Sequence, residues 1–176
     1  TGVQTCAVPI SDGDLVALDL AVRLDGIAAD SAISFIVGES RPEESVRLIE
    51  TTERALAAAI GAAGPGARIG DISNAIGAVL TEAGYPINMQ FGGHGIGTTM
   101  HQDPHVSNDG RAGRGYQLRP GLLLALEPWV MSDTPVLVTD EDGWTLRSVT
   151  GCRTAHSEHT VAITEDGVEV LTLPSS

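Results

Sequence analysis

The segment at positions 15–37, LVALDLAVRLDGIAADSAISFIV, alternates between apolar and polar residues with the two-residue period of β-structure. Asp25-Gly26, near its middle, is a dipeptide typical of a two-residue hairpin turn. With this turn, Ala21 lies opposite Asp30, and Asp19 projects from the same face as Ala21. The Asp19 and Asp30 carboxylates are then diagonal neighbours, with Cβ atoms about 7–8 Å apart. We therefore expect both to reach one cation, or a close pair of cations, between them.

The opposite face of this hairpin is apolar, so the pattern predicts that it is core. Burying an unpaired carboxylate next to such a core costs on the order of several kcal/mol. An arginine partner or contact with water would account for either aspartate alone, whereas two on one face favour a metal site. The apolar face consists of Val16, Leu18, Leu20, Val22, Ile33, Phe35 and Val37.

Two later segments have the period of amphipathic helices. The first runs from about 40 to 63: Ser40-Arg41-Pro42-Glu43 fits a capping box with proline in the first turn, and Gly64-Pro65-Gly66 ends it. The second runs from about 71 to 83 and stops at Gly84. Both are predicted to be packing helices without chemistry.

The glycine-rich segment GGHGIG at positions 92–97 surrounds His94. Its spacing matches neither the dinucleotide-binding fingerprint nor the phosphate-binding loop. A lone histidine is more often a hydrogen-bonded core residue than a metal ligand. The flanking glycines and a second histidine at His101 favour a functional site instead.

Two further apolar strands each carry one acid. The strand LLLALEPWV contains Glu127, and a strand predicted at 155–164 contains Glu158. Asp142-Gly143 and Asp166-Gly167 are predicted hairpin turns, with Trp144 beginning the return strand after the first. Each of these apolar strands thus carries one carboxylate, as each strand of the first hairpin does.

Four carboxylates and one imidazole form a set of oxygen and nitrogen ligands without a thiolate. Such a set suits Mn, Fe, Co or Zn in a catalytic site. The carboxylates carry too much charge for one divalent ion, so two ions that share bridging carboxylates are predicted. In hydrolases such ions lie about 3.5–4 Å apart, activate a bridging hydroxide and polarise the substrate carbonyl.

These motifs resemble those of a known family, the type I methionine aminopeptidases, and most closely its actinobacterial branch. The match covers about residues 12–172 in collinear order. The resemblance implies the α+β pita-bread fold, in which an antiparallel sheet flanked by helices holds the metals. The motifs are DGDLVALD, AADSAISF, GGHGIGTTMHQDP, LALEPWV, DGWT and AHSEHTVAIT.

The resemblance also implies a ligand set for two divalent ions (Co, Mn, Fe or Zn). Asp30 and Glu158 would bridge both ions. Asp19 would bind the second ion, and His94 and Glu127 would bind the first.

Catalytic and substrate contacts follow from the same resemblance. Glu127 would carry a proton from the attacking water to the leaving amine. His101 would contact the scissile amide and stabilise its developing negative charge. Met100, at a position where an aromatic residue is common in the family, and Trp144 would line the pocket for the substrate methionine.

The first ten residues, TGVQTCAVPI, do not fit the remaining chain. They resemble the in-frame translation of a sequencing-adapter oligonucleotide; an irregular N-terminal arm is the alternative. We therefore expect residues 1–11 to be a doubtful segment and residues 12–176 to form a single, incomplete pita-bread domain. By the resemblance, N-terminal helices, a strand and a second catalytic histidine are missing. Their loss would leave this chain inactive or poorly folded, with apolar surface exposed.

Composition restricts the partners. The 176 residues suffice for one domain, and a hydrophobic content of 42% with a mean hydropathy of +0.10 is typical of a soluble protein. The net charge of −13 is scattered along the chain, which argues against nucleic-acid binding. No signal peptide or membrane span is evident, and the two cysteines form no motif, so a cytoplasmic location is expected. The implied partners are nascent proteins with N-terminal methionine, with the ribosome as an open candidate and a monomer as the expected state.

Two other functions are compatible with this fold. Xaa-Pro aminopeptidases or prolidases share the fold and the metal ligands. The short spacing from GHGIG to Glu127, the MHQDPHVSN stretch and the DGWT turn argue against them. A non-catalytic pita-bread binding module usually loses metal ligands, and this sequence has lost none of the five.

Overall fold

The computed structural model describes residues 9–173, so most of the doubtful N-terminal segment lies outside the described residues. Within this range, neither helix combines the length and apolar character needed to span a bilayer. In chain order the elements are β1 (Leu15–Leu24), β2 (Ile27–Ile36), α1 (Glu43–Ala62), α2 (Ile69–Ala83), β3 (Gly92–Gly95), β4 (Gln102–Ser107), β5 (Leu123–Leu126), β6 (Trp129–Met131), β7 (Leu137–Thr139), β8 (Leu146–Ser148), β9 (Thr154–His156), β10 (Glu158–Ile163) and β11 (Val168–Val170).

A mainly antiparallel sheet forms the centre of the structure. Its strand order is β1-β2-β10-β5-β3-β4, and β11 pairs with the C-terminal half of β10, beyond the residues that pair with β2. Strands β6 and β9 form a separate pair, as do β7 and β8. The two helices pack against each other, and α1 also contacts β9 and β6. The predicted α+β class, with an antiparallel sheet and helices, is confirmed.

The first hairpin has the predicted register. Leu24 pairs with Ile27, and Ala21 pairs with Asp30, so Asp25-Gly26 is a two-residue turn. Both turn residues have positive φ, 49° at Asp25 and 85° at Gly26, as a type I′ turn requires. The predicted placement of Asp19 and Asp30 on one face is therefore confirmed.

The prediction that the apolar face of this hairpin is core is wrong. Leu20 is 66% exposed and Ile33 is 56% exposed, while Val16 and Val37 are half-buried. The buried side chains of β2 lie on the other face, where Asp30 is flanked by Ala28 and Ala32. The alternation identifies which side chains share a face, but not which face another element covers. Within residues 9–173 the apolar face remains a continuous exposed surface of the kind that another polypeptide segment normally covers.

The predicted limits of the helices need small corrections. Helix α1 begins at Glu43, and its N-cap residue, Pro42, makes no side-chain capping bond, so the predicted capping box is absent. Helix α2 begins at Ile69, because the Asp71 carboxylate accepts the Arg68 backbone N–H at 2.7 Å and closes the first turn. It ends as predicted at Gly84, whose φ of 78° is left-handed.

Two segments predicted as single strands are each divided. The LLLALEPWV strand separates into β5 and β6 after Glu127, and the 155–164 strand separates into β9 and β10 at Ser157. In both cases the second piece pairs differently from the first, since β6 and β9 leave the main sheet and pair with each other. The hairpin predicted at Asp166-Gly167 joins β10 to β11 as expected, whereas Trp144 lies in the β7–β8 turn, before the return strand begins.

Close contact between backbones explains one glycine of the GGHGIG segment. A Cβ atom at Gly95 would lie 2.3 Å from the Asp103 carbonyl oxygen, which is fixed backbone. Gly61, in α1, has open space at the corresponding position. These two glycines therefore provide a matched pair for substitution.

Gly95→Ala should lower the free energy of unfolding by about 1–3 kcal/mol, because β3 must move away from β4 to accept the methyl group. Gly61→Ala should raise it by about 0.5–1 kcal/mol through lower backbone entropy in the unfolded chain. Urea denaturation followed by circular dichroism measures both effects. Equal stability of the Gly95→Ala variant and the parent chain would contradict the close packing of β3.

Candidate metal centre

The five predicted metal ligands lie together in one open cleft of about 760 Å³ above the central sheet. The residues that line it are Asp19, Asp30, Gln90, Phe91, Gly92, His94, His101, Gln102, Asp103, His105, Glu127, Trp129 and Glu158. Side chains separated by up to 139 positions in the sequence thus reach one site through the strand order of the sheet.

Strand pairing brings the two most buried acids together. Glu158 pairs with Ala32 on β2, which makes it a diagonal neighbour of Asp30. The Thr160 hydroxyl accepts the Asp30 N–H at 2.8 Å and donates to the Asp30 carbonyl oxygen at 2.8 Å. These bonds fix the β2 backbone at the position from which the Asp30 carboxylate enters the cleft.

His94 approaches from the other side of the cleft. It pairs with Ala125 on β5, whose small side chain leaves room for the imidazole. His94 Nδ1 lies 2.9 Å from the Gly95 carbonyl oxygen, which can only accept a hydrogen bond, so Nδ1 carries the proton. The unprotonated Nε2 is then free toward the cleft, 3.4 Å from Glu127 Oε1. Metal-binding histidines commonly use this arrangement.

Two groups of three side chains have a spacing suited to a metal ion. Asp30, His94 and Glu158 form the first group, and Asp19, His156 and Glu158 form the second. In each group the possible ligand atoms all lie within 4.8 Å of one another. Glu158 belongs to both groups, so it is the residue that connects them.

Three acids in this cleft, Glu158, Glu127 and Asp30, have pKa values above those of ordinary carboxyls. Burial, followed by repulsion from Glu127, Asp30 and Asp19, raises the pKa of Glu158 to about 9. Burial raises the pKa of Glu127 to about 7, against the lowering effect of Trp129, whose Nε1–H donates to Glu127 Oε2 at 2.9 Å. Burial and the Asp19 charge also raise the pKa of Asp30. Protons or metal cations are the two means of relieving this repulsion.

Neutralisation by basic side chains is not observed in the described part of the chain. The basic groups nearest to these acids there are histidines, which carry a positive charge only when protonated: His94 Nε2 lies 3.4 Å from Glu127 Oε1, and His156 Nε2 lies 3.6 Å from Asp19 Oδ2. Glu158 is 1% exposed, and its buried Oε1 has no hydrogen-bond partner among the described residues. A buried carboxylate oxygen without a donor fits a metal ligand, because a divalent ion would supply the missing positive charge.

His101 lies in the cleft beside His94, with ring centroids 4.3 Å apart and planes tilted by 51°. It is exposed, and like the predicted ligand Glu127 it belongs to neither group of candidate ligands. Its exposed position at the cleft is compatible with contact to a bound substrate.

The structure does not bring the two predicted methionine-pocket residues into the cleft. Trp144 is 88% exposed in the turn between β7 and β8, and Met100 is absent from the cleft lining. Phe91 and Trp129 form the apolar wall instead, stacked with centroids 5.0 Å apart. The sequence analysis assigned the pocket by resemblance and did not name these two aromatic residues. Trp129 follows Glu127 by two positions, a spacing that indicates a shared face in the single strand predicted there.

The comparisons with known proteins agree with this geometry. A sequence profile of metallopeptidase family M24 matches residues 2–165. The chain belongs to metallopeptidase family M24. Methionine aminopeptidase of Aquifex aeolicus is 41% identical to this M24 chain over 165 residues, and methionine aminopeptidase 1 of Mycobacterium tuberculosis is 41% identical over 178 residues. The matches cover 93% and 98% of the chain, and 64% and 66% of the respective relatives. The chain thus spans slightly less than two thirds of the length of these proteins.

Solved M24 structures have the same fold. Methionine aminopeptidase from Thermotoga maritima superimposes with a TM-score of 0.89 at 40% identity, covering 93% of this chain and 65% of that one. Prolidase from Pyrococcus furiosus gives a TM-score of 0.74 at 25% identity, covering 94% of this chain and 43% of that one. These matches confirm the pita-bread fold and the resemblance to methionine aminopeptidases.

The raised pKa values predict that the metal-free chain loses stability as the pH increases. An unfolded glutamate releases its proton near the ordinary glutamate pKa of 4.5, whereas folded Glu127 and Glu158 retain theirs until about pH 7 and 9. Between these limits the folded state binds more protons at the two glutamates than the unfolded state does. The lowered pKa values of His94, His156 and His159 act in the opposite direction near and below their ordinary value of 6.5, so the fall in stability is expected above about pH 7. Thermal unfolding in the presence of a chelator, from about pH 7 to about pH 9, measures this slope.

Glu158→Gln should flatten this slope and raise the unfolding temperature at the alkaline end. Glu165→Gln is the matched control, because Glu165 lies exposed in the β10–β11 turn, away from the cleft, and should leave the slope unchanged. An unfolding temperature of the parent chain that increases toward pH 9 would contradict the crowding of the acids.

Proposed function

We propose that this protein is an aminopeptidase that removes N-terminal methionine from proteins with the aid of two divalent ions. The observation that carries the proposal is Glu158, a buried carboxylate with an unpartnered oxygen, shared by two groups of candidate metal ligands. Sequence identities near 40% to proteins named methionine aminopeptidase support the substrate assignment.

In this proposal Asp30 and Glu158 bridge the two ions, Asp19 binds the second, and His94 and Glu127 bind the first. The oxygen and nitrogen donors and the absence of thiolate from the set suit Co, Mn, Fe or Zn. When bound, the ions supply an activated water at neutral pH and polarise the scissile carbonyl group.

The side chains of the cleft then divide the remaining tasks. Glu127 accepts the proton of the attacking water and transfers it to the leaving amine. The Trp129 Nε1–H, 2.9 Å from Glu127 Oε2, holds one carboxylate oxygen and leaves the other facing His94.

His101 is proposed to bind the substrate rather than a metal. Its exposed ring beside His94 can donate a hydrogen bond to the scissile carbonyl oxygen as negative charge develops there. Phe91 and Trp129 offer an apolar surface to the methionine side chain, whose thioether packs favourably on aromatic rings. Nascent proteins are the expected substrates, which points to a cytoplasmic enzyme with the ribosome as a candidate partner. The resemblance to the family favours a monomer.

Hydrolysis of short peptides tests the reaction and its specificity. The chain loaded with Co²⁺ or Mn²⁺ should release methionine from Met-Ala-Ser and leave an Xaa-Pro peptide intact. A chelator should abolish the release, and added metal should restore it. Free amino acids are measured by chromatography. Preferential cleavage of the Xaa-Pro peptide would favour the prolidase activity of the more distant relatives, and no release of methionine from the metal-loaded chain would contradict the proposal.

Two substitutions separate metal binding from substrate contact. His101→Ala should leave two ions bound per chain and lower turnover by about 100-fold, the effect typical of losing one donor to a developing oxyanion. Glu158→Gln should lower both the metal-to-protein ratio and the activity, because a bridging charge is lost. Atomic emission measures the metal content and peptide hydrolysis the turnover. Loss of metal from His101→Ala would contradict its role, and an unchanged ratio in Glu158→Gln would contradict the bridge.

A further inference from the structure

His156 brings a second imidazole to the cluster from outside the main sheet. It ends β9 and pairs with Trp129 of β6, on which its ring stacks with centroids 5.4 Å apart. The side chain is 15% exposed, so the stacked ring has little freedom to turn. Its Nε2 atom is directed at the carboxylate of Asp19.

The surroundings of His156 Nε2 do not satisfy it. The nearest carboxylate oxygen, Asp19 Oδ2, is 3.6 Å away, which is too far for a hydrogen bond. Nε2 is buried, and it has no hydrogen-bond partner among the described residues. A buried imidazole with a purely structural role normally has both nitrogens paired with polar groups or water. An unpaired nitrogen that faces a carboxylate at this distance leaves space for an ion between the two.

Glu158 supplies the third side of this space. Its Oε1 is also buried and unpartnered, and Asp19, His156 and Glu158 present ligand atoms within 4.8 Å of one another. Ligand atoms bound at about 2.0–2.2 Å to one ion lie about 3–4 Å apart. A small inward movement of the exposed Asp19 side chain is enough to close this set around an ion.

We propose that His156 is an additional metal ligand that binds, through Nε2, the ion held by Asp19 and Glu158. This inference rests on the two-ion site proposed above and adds a sixth residue to it. Each ion then has one imidazole, His94 on one side of Glu158 and His156 on the other. Without His156, the second ion would have only carboxylate ligands from this chain.

The additional nitrogen ligand changes the metal preference of the second position. Imidazole suits Co, Zn and Fe, whereas a set made only of carboxylates and water also suits Mn and Mg. His156 should therefore favour Co²⁺ over Mn²⁺ at this position. The ratio of the two affinities is a readout that does not depend on activity.

Titration of the purified chain with Co²⁺ tests the proposal. Calorimetry should give two ions per chain, and proton NMR should give hyperfine-shifted imidazole resonances from two histidines. In His156→Gln, one set of shifted resonances should disappear. The affinity for the second ion should fall by at least about 10-fold, because even the loss of a residue that only orients a ligand costs about 10- to 100-fold. The affinity for Mn²⁺ should fall less.

His105→Gln is the matched control. His105 lines the same cleft and is exposed, but it belongs to neither group of candidate ligands. This variant should retain two ions and both sets of shifted resonances. Circular dichroism without metal verifies that each variant is folded. If His156→Gln does not fold, the number of shifted histidines in the parent chain decides the matter.

Two results would overturn the inference on its own: a parent chain with two Co²⁺ ions and only one shifted histidine, or a His156→Gln variant with unchanged resonances and affinity. In both cases the two-ion site itself would remain. A parent chain that binds no metal would contradict the proposed function and this inference together.

Discussion

Four carboxylates repel one another in one open cleft, and the remaining structure must hold them together against this repulsion. Asp19, Asp30, Glu127 and Glu158 share a space of about 760 Å³, and the burial of Glu158 raises its pKa to about 9. This arrangement lowers the stability of the folded chain unless protons or cations neutralise the carboxylates. In this site the fold keeps buried acids in an electrostatically unfavourable arrangement. Such arrangements are common at functional sites.

The fold counters this repulsion with backbone pairing. Asp30 and Glu158 lie on the adjacent strands β2 and β10, and Thr160 bonds to both polar groups of the Asp30 backbone. The backbone of Gly95 packs against β4 so closely that no side chain fits, which fixes the strand that carries His94. Ligands on paired strands are held rigidly, so they lose little conformational freedom when an ion binds.

Turns and the faces of single strands were predictable from the sequence. Features that depend on which other segment packs against or pairs with a strand were not. Asp25-Gly26 determines the turn, and the two-residue period then determines that Asp19 and Asp30 share a face. The same period could not reveal that the Leu20 side of the hairpin is exposed, because this depends on which elements pack there. The pairing of β6 with β9 was not predictable either, because the break at Ser157 divides a segment whose pattern predicts one strand. The approach of His156 to the cleft follows from this pairing and was therefore not predicted.

Candidate ligands were predictable because their chemistry restricts the choice. Carboxylates in apolar strands are rare enough that Glu127 and Glu158 stand out, and the glycines around His94 mark it in the same way. Trp144 and Met100 were assigned by resemblance alone, and neither lines the cleft that holds the five candidate ligands, whereas Phe91 and Trp129 do. The side chains that line a cleft depend on the conformation of its loops, which motif positions do not specify.

Strand β1 connects the metal centre to the exposed apolar surface. It is an edge strand of the sheet, with the Asp19 carboxylate on one face and Leu18 and Leu20 on the other. Asp19 is 53% exposed, whereas Glu158 is 1% exposed, so β10 presents its acid from the interior and β1 presents its acid at the edge of the sheet. Any segment that packs on the apolar face restrains β1 and, through it, the position of Asp19. The position of this candidate ligand is therefore coupled to the covering of a surface on the opposite side of the sheet.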